Sequence, residues 1–408
     1  MGRQGDDRPG FGAPRQDALL SYDRELAASL TLPDENESPS DEEEANGEGP
    51  TRRRRGEKEA SPYPRHTVAA LGAKVRVVRD GQRVPHIFAK DERDAYAALG
   101  FCMAEDRLAQ MDLARRAATG RLAEILGEGF ARRDALVRTA GVVRRAAAAA
   151  AALQGVGREV LAAFVGGVNA VFAAKGSREE IGYPVPPWTI ADCLAIELYA
   201  AWSLAAEVWP SKLALAQALS SAGLERARWL TPVRLDLEEM DEARLALWRR
   251  IDPRLGDLPA GIHPVGGSVL AVSAERGGLL SCEVRLPTGP PPTFYLAHLE
   301  APSFSVVGAA LVGFTAIVVG RNAGCAWGAR GLTLDDSDLV AEELDGIGNF
   351  RTEGGWRKLA SRRELIRVRD GEDRRIGVLE TRNGPLLSHL VEQLDGPRAD
   401  GVRSVSIA

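Results

Sequence analysis

The segment GIHPVGGSVLAVSAERGG, residues 261–278, contains the side chain with the clearest potential for chemistry, Ser268. A serine hydroxyl beside a suitable base attacks carbonyl carbons and forms covalent intermediates. The same position also fits the start of a buried strand, because an apolar run follows it at residues 269–272. Two interpretations of Ser268 therefore stay open, a nucleophile or the first residue of a strand.

The other reactive side chains form no recognisable site in the sequence. Cys282 lies near Ser268 but has no histidine beside it, so it is interpreted as a buried thiol. His86 in VPHI and His298 in FYLAHL are interpreted as hydrogen-bonded core histidines rather than catalytic ones. No CxxC pair occurs, and no histidine lies at metal-ligand spacing, so neither a zinc site nor a disulfide framework is predicted. The cysteines stand alone at wide intervals, at Cys102, Cys193, Cys282 and Cys325.

The composition argues against two classes of partner. The chain has 408 residues, 45% of them hydrophobic and 27% charged, which is typical of a globular protein with a sizeable core. A formal net charge of −5 produces no field that would favour nucleic acid or an anionic membrane. No apolar run approaches the roughly 18 residues of a spanning helix, and the first 30 residues lack the pattern of a signal peptide. We therefore expect no nucleic-acid or membrane partner, and a cytoplasmic location.

The first 65 residues differ from the rest. Segments such as DENESPSDEEEANGEGP and TRRRRGEKEASPYPR contain few apolar residues and have blocks of opposite charge. Such a segment cannot bury enough surface to offset its ordering entropy. Residues 1–65 are predicted to be a disordered, charged tail.

The elements that follow, at residues 66–260, are mainly helical. A hairpin is predicted around Asp80 and Gly81, where two short runs alternate apolar and polar residues. From Asp91 the apolar period becomes helical, with a break at Gly120 and an end at Gly127. The residues of this helical stripe are Ala95, Leu99, Met103, Leu108, Met111 and Leu122.

Residues 261–408 are predicted to form mainly strands. SVLAVSA, GGLLSCEV, TFYLAHLE, FSVVGAAL and TAIVVGR are short, rich in β-branched or aromatic residues, and separated by glycine and proline. Helices followed by consecutive strands predict an α+β architecture with layered sheets. The last residues look like a further strand without a terminal helix, which indicates an incomplete domain.

Several ordered motifs resemble the penicillin acylase family of N-terminal nucleophile hydrolases. They are VPHI, DRLAQM, GRLAEILG, FVGGVNA, PWTIAD, FYLAHL and LDDSDLVAEEL, and the likeness runs from about residue 74 to 408. The resemblance implies an αββα sandwich, here cut short, preceded by a helical α-chain-like part. It also implies hydrolysis of non-peptide amide bonds, as in penicillins, acyl-homoserine lactones or other N-acyl compounds.

The family's chemistry, carried onto this sequence, leaves the nucleophile in question. Such precursors cleave themselves before a serine, whose free α-amine then serves as base for its own hydroxyl. When the strand is aligned through VS, the nucleophile position falls on Gly267, and only a one-residue deletion restores Ser268. The family's oxyanion hole uses a backbone N–H that maps to Gly331 and an asparagine that comes later than residue 408.

The resemblance also implies a calcium site. Asp335 and Asp338, with Ser337 between them in LDDSDL, match carboxylates that bind calcium in some members. The glutamate that completes such a site appears as Lys212 here, with Glu207 the nearest acid. A lysine facing two aspartates would form a salt bridge in place of the metal.

Three functional interpretations remain. The first is an amidohydrolase that acts on a small N-acyl amide. The second is a degenerate, non-catalytic relative, favoured by glycine at the nucleophile position. The third is a fragment of a split or truncated gene, in which a second, β-chain-like polypeptide supplies the missing strands. Members of the family are often periplasmic or secreted, which contrasts with the cytoplasmic expectation.

Overall fold

The structure, a computed structural model, describes most of the chain after residue 70. The predicted tail, residues 1–65, lies outside the described residues, as do Gly331, Asp335 and Ser337. The described residues are 71–175, 183, 185–205, 209, 212–214, 218, 221–222, 226, 251–258, 267–274, 277–284, 292–329, 338–397 and 404–407.

The first hairpin forms where the sequence predicts it. Strands β1 (Arg76–Arg79) and β2 (Pro85–Phe88) pair antiparallel. The Asp80 carboxylate accepts hydrogen bonds from the backbone N–H groups of Gln82 and Val84, both at 2.9 Å. This side chain therefore closes the turn by satisfying two backbone donors.

The long first helix, α1 (Glu92–Thr119), also follows its sequence signals. The Asp91 carboxylate caps its first turn by accepting from the Asp94 N–H at 2.8 Å. Gly120 ends it in the left-handed conformation, at φ 61°, and its N–H bonds to carbonyls of the last turn. The predicted apolar stripe is buried at every position: Ala95, Leu99, Met103, Leu108, Met111 and Leu122.

Further helices complete the predicted helical part. After α2 (Ala123–Leu126) and a 3₁₀ turn at Glu128–Phe130, the chain forms three helices in succession and a later one after the 183–187 segment. These are α3 (Ala131–Ala140), α4 (Val142–Ala152), α5 (Gly155–Lys175) and α6 (Ile190–Ala205), with a second 3₁₀ turn at Pro253–Asp257.

Helix α5 corrects one sequence expectation. Its segment Gly155–Phe172 has 18 residues with a mean hydropathy of 1.3, so by length and composition alone it could cross a membrane. The expectation that no apolar run approaches this length was wrong. Phe164 and Val168 are fully buried in the core, and 33% of the segment is buried in all.

A six-stranded sheet lies against these helices. Besides β1 and β2 it contains β5 (Phe294–Ala301), β6 (Phe304–Leu311), β7 (Ile317–Arg321) and β8 (Ala326–Trp327). Its order is β1-β2-β5-β6-β7-β8, and the β2–β5 pair is parallel while the other pairs are antiparallel. The hairpin from the helical part thus joins strands from the later part in one sheet.

Four antiparallel pairs of strands lie outside that sheet. They are β3 (Gly267–Ala274) with β4 (Gly277–Val284), β9 (Leu339–Glu342) with β14 (Ser404–Ile407), β10 (Asn349–Thr352) with β11 (Gly355–Lys358), and β12 (Ala360–Ile366) with β13 (Arg374–Glu380).

One helix was missed in the sequence. Helix α7 (Leu387–Asp395) precedes the last strand, where no terminal helix was expected. Its signal is present in LSHLVEQLD, whose Leu387, Leu390 and Val391 lie on one buried stripe. The strand predicted at the end of the chain is confirmed as β14.

The cores combine helices with strands. In the larger core Ile87 and Leu299, from neighbouring strands, pack against Leu99 and Met103 of α1 and Phe164 of α5. A second core joins the 3₁₀ turn at Pro253–Asp257 to the β12–β13 pair and α7. The α+β architecture is therefore confirmed, and the helices cover one face of the six-stranded sheet.

Candidate functional site: the hairpin that carries Ser268

The hairpin of β3 and β4 determines where Ser268 points. Ser268 lies directly opposite Glu283 in the antiparallel ladder, so the two side chains share one face. The Ser268 Oγ donates to the Glu283 Oε2 at 3.2 Å. Both side chains are exposed. A carboxylate is thus the hydrogen-bond partner of the predicted nucleophile.

Sequence reasoning missed this pairing although its signal was available. Two residues, 275 and 276, separate β3 from β4. A two-residue loop sets the register of a hairpin, and counting back from it places Ser268 opposite Glu283.

Gly267, the alternative nucleophile position, is closely constrained. A Cβ at Gly267 would overlap the backbone carbonyl oxygen of Glu283 on the neighbouring strand. The position therefore holds glycine because the two backbones approach too closely for any side chain. A serine could not replace Gly267 in this hairpin without moving the backbone.

Cys282 lies on the opposite face of the same hairpin. Its Sγ is 3.5 Å from the carbonyl oxygen of Ala329, and a Cβ on Gly328 would come within 2.8 Å of that sulfur. The thiol is half-buried, so the expectation of a buried thiol is only partly met. Gly331, expected to supply an oxyanion N–H, is two residues beyond Ala329 and outside the described residues.

Two other thiols are poor nucleophiles in this structure. Burial raises the pKa of Cys102 and of Cys193 to about 12. Both therefore remain protonated at neutral pH, and the thiolate is the reactive form.

Of the three expected calcium ligands, only Asp338 lies among the described residues, and it contacts a lysine. Lys212 Nζ lies 2.9 Å from Asp338 Oδ1, which is the salt bridge expected if lysine replaces the metal. An ammonium group in contact with this carboxylate repels a divalent cation at the same oxygen. Among the described residues, no cluster of three or more His, Cys, Asp or Glu side chains could hold a metal ion. The described donors therefore do not fit calcium.

The two histidines form a contact across the parallel strand pair. His86 and His298 are direct partners in the β2–β5 ladder, and their Nδ1 atoms are 3.3 Å apart. His86 Nε2 is 3.5 Å from Asp80 Oδ2, and His298 Nε2 is 3.4 Å from Ser305 Oγ. Burial and then the neighbouring His86 lower the pKa of His298. The contacts agree with structural, hydrogen-bonded histidines.

Comparison with known proteins establishes the family. A profile described as penicillin amidase matches residues 74–406, which is most of the chain. The chain belongs to the penicillin amidase family. The fold is accordingly that of an N-terminal nucleophile hydrolase, in agreement with the α+β architecture.

Family relatives are acylases of two kinds. The chain is 33% identical over 380 residues to penicillin acylase 2 proenzyme from Pseudomonas sp., covering 84% of this chain and 47% of the relative. It is 28% identical over 345 residues to the acyl-homoserine lactone acylase QuiP from Pseudomonas syringae pv. tomato, covering 78% of this chain and 42% of the relative. The chain thus spans about half the length of these penicillin amidase relatives.

A solved structure from the same family was also matched. It is a thermostable penicillin G acylase from Alcaligenes faecalis, 29% identical, with a TM-score of 0.33. The match covers 38% of this chain and 88% of that chain.

Proposed function

We propose that this chain carries the nucleophile-bearing part of an amidohydrolase that acts on linear, non-peptide amides, such as N-acyl compounds or the side-chain amide of β-lactams. The observation that carries the proposal is the family match over residues 74–406, which includes the β3–β4 hairpin with Ser268. The names of the relatives, penicillin acylase and acyl-homoserine lactone acylase, support an acyl amide as the substrate.

In this proposal Ser268 first cleaves the chain before itself and only then acts on an amide substrate. The Ser268 hydroxyl attacks the carbonyl carbon of Gly267, and the C–N bond breaks to leave an ester and a free α-amine. Water then hydrolyses the ester, and the α-amine serves as the base during catalysis. Glu283 is hydrogen-bonded to the hydroxyl and is placed to accept its proton in the first step.

The described residues do not complete the site. Amide hydrolysis requires preorganised donors for the oxyanion, and neither Gly331 nor an oxyanion asparagine lies among the described residues. The proposal therefore includes a complementing β-chain segment that supplies the oxyanion asparagine, while Gly331 of this chain supplies the backbone N–H. Activity is expected only when that segment is present.

A non-catalytic relative is the second candidate. Gly267 favours it, because the position aligned with the nucleophile has no room for a side chain. In that case Ser268 is simply the second residue of a strand.

The deciding experiment combines intact mass with amide hydrolysis. The full chain is purified alone and after co-expression with the remaining half of the Pseudomonas penicillin acylase 2 proenzyme. Each sample is examined by mass spectrometry, by N-terminal sequencing and with a chromogenic N-acyl anilide. A new terminus at Ser268 and release of the aniline in the co-expressed sample support the hydrolase.

Two variants make the result specific. Ser268→Ala is expected to abolish both cleavage and hydrolysis, while Ser273→Ala on the same strand is expected to change neither. A co-expressed, co-purifying chain that stays at 43.7 kDa and releases no aniline would support the non-catalytic relative instead.

A further inference from the structure

An open cavity of about 500 Å³ lies outside the hairpin that carries Ser268. Its walls come from the end of α1 and from α2, from the segment around Tyr183 and Pro186, and from the residues that follow β12. It shares no lining residue with β3 or β4. Cavities of roughly 300–1,000 Å³ are the size that small ligands occupy in proteins.

The cavity is lined by an excess of positive charge. Four of its lining side chains are arginines, Arg116, Arg121, Arg367 and Arg369, and one is an acid, Glu124. Glu124 accepts hydrogen bonds from both Arg116 and Arg121 at 2.8 Å. Burial alone would raise the pKa of Glu124, but the two arginines lower it overall, so it stays ionised.

The positive charges of Arg116 and Arg121 are therefore balanced by acidic side chains of the protein itself. Arg116 also donates from its Nε to Asp112 at 2.7 Å, and its guanidinium lies over the Tyr183 ring at 5.1 Å. Burial and the nearby Asp112 raise the pKa of Tyr183 to about 12, so the phenol adds no negative charge to the cavity. These contacts hold one wall of the cavity in place.

The other two arginines retain donors for a ligand. Arg367 is exposed and has no ion pair or hydrogen bond with any residue of the described part of the chain. Arg369 bonds to the Ile125 carbonyl at 3.2 Å, and its 3.3 Å contact with Asp370 is between groups exposed by 62% and 86%. Such an exposed ion pair is worth only about 0–1 kcal/mol, so it competes weakly with a bound anion.

The remaining wall is apolar. Ile125, Val185, Pro186 and Val368 line it, and Val185 and Val368 are almost fully buried. An inorganic anion would leave this surface in contact with water. Ile125 is half-buried and Pro186 is exposed, so these two side chains retain apolar surface for a ligand. An organic anion can bury an apolar body against them while its charged end contacts the arginines.

We propose that this cavity binds a small organic carboxylate, with the carboxylate held by Arg367 and Arg369 and its apolar body against Ile125 and Pro186. Guanidinium groups bind carboxylates through paired, charge-assisted hydrogen bonds, which makes the carboxylate the fitting head group. The site is separate from the proposed amidohydrolase site, so either proposal can fail without the other.

Calorimetric titration of the full chain with hexanoate tests the site directly. The double variant Arg367→Gln/Arg369→Gln lacks both exposed guanidinium groups and their charge-assisted hydrogen bonds. Its affinity for hexanoate is expected to be at least about tenfold lower. Arg363→Gln is the matched control, because Arg363 is an exposed arginine of β12 that does not line the cavity. Its dissociation constant for hexanoate should equal that of the unmodified chain.

Two further ligands test the charge and the apolar body separately. Hexanamide keeps the chain length but lacks the charge, and is expected to bind at least about tenfold more weakly than hexanoate. Inorganic phosphate keeps a charge but lacks the apolar body, and should also bind more weakly. The proposal is overturned if hexanoate does not bind, if it binds the double variant as well as the unmodified chain, or if either of these ligands equals it.

Discussion

At the scale of single residues, Lys212 decides what kind of contact links the helical part to the start of β9. Its ammonium contacts Asp338 just before that strand. Lys212 is one-quarter exposed and Asp338 is 79% exposed, so the ion pair contributes only about 0–1 kcal/mol of stability. This ion pair therefore adds little to the stability of the fold.

Lys212→Glu is predicted to create a calcium-responsive protein. The substitution places a second carboxylate beside Asp338. The sequence segment of Asp338 also contains Asp335 and Ser337. Oxygen ligands of this kind favour calcium, and saturating metal would raise the free energy of unfolding by about 1–3 kcal/mol. Thermal melts with calcium chloride and with chelator measure the change.

Lys212→Gln serves as the control for this prediction. It removes the positive charge without adding a carboxylate, so calcium should leave its melting temperature unchanged. The unmodified chain should also show no response. A calcium-dependent rise in the unmodified chain would show that the lysine does not exclude the metal.

A second prediction at the residue scale concerns pH. In the folded state the pKa of His298 lies below its ordinary value of 6.5, because of burial, His86 and Arg321, with Glu300 opposing. The unfolded chain therefore binds more protons than the folded chain just below pH 6.5, and the free energy of unfolding must fall as the pH decreases there. Above that pH this contribution is constant.

Denaturant melts between pH 5 and pH 8 should show this decrease, and His298→Gln should flatten it. The groups around the His298 imidazole are His86, Glu300, Ser305 and Arg321, and Asp80 contacts the far side of His86. His389→Gln, on α7, is the control and should retain the decrease. An equally steep profile for His298→Gln would assign the pH dependence to other groups.

At the scale of elements, the crossing of α1 and α5 depends on two glycines. A Cβ at Gly100 of α1 would overlap the Phe164 carbonyl, and a Cβ at Gly167 of α5 would overlap the Ala97 carbonyl. Glycine at both positions allows the two backbones to come into direct contact. This contact holds α5, despite its membrane-like hydropathy, in the protein core.

Gly167→Ala is therefore predicted to be strongly destabilising. The added methyl group cannot be accommodated without separating the helices, and overpacking of this kind costs about 1–3 kcal/mol or more. Gly157→Ala in the same helix meets only the Leu153 side chain at an ordinary 3.6 Å. It should be neutral or stabilise the protein by about 0.5–1 kcal/mol, because alanine favours helix. Denaturant unfolding of both variants measures the difference.

At the scale of the whole molecule, the Ser268 hairpin presents apolar surface to solvent. Leu270 and Leu279, on the same face as Ser268, are each 62% exposed, and Val272 is 48% exposed. Clusters of exposed apolar side chains on a strand pair favour association with other surfaces. The isolated chain is therefore predicted to associate as its concentration rises.

Leu270→Ser/Leu279→Ser is predicted to reduce this association without lowering the melting temperature. Both side chains are already exposed, so the change removes exposed apolar surface and leaves the core intact. Ile347→Ser is the control, because Ile347 is 86% exposed but lies in a turn away from any ladder position. Light scattering over a concentration series distinguishes the variants. Equal association of all three chains would show that the hairpin face is not the cause.

Much of the local structure could be predicted from the sequence because its causes are local. The Asp80 turn, the Asp91 cap and the Gly120 stop each depend on one side chain or one backbone conformation within a few residues. Strand and helix periods likewise appear in the order of apolar residues. Helix α7 was missed because its apolar stripe is short and the segments before it in the chain are strands.

The sequence by itself determined the family, the α+β class and the candidacy of Ser268, because these depend on residue types in a fixed order. Only the tertiary structure decided that Gly100 and Gly167 lie where two helix backbones touch, and that arginines from two distant segments line one cavity. Each of these requires residues far apart in the chain to meet within a few ångströms. Such distances depend on how the elements pack, and no local pattern of residues encodes them.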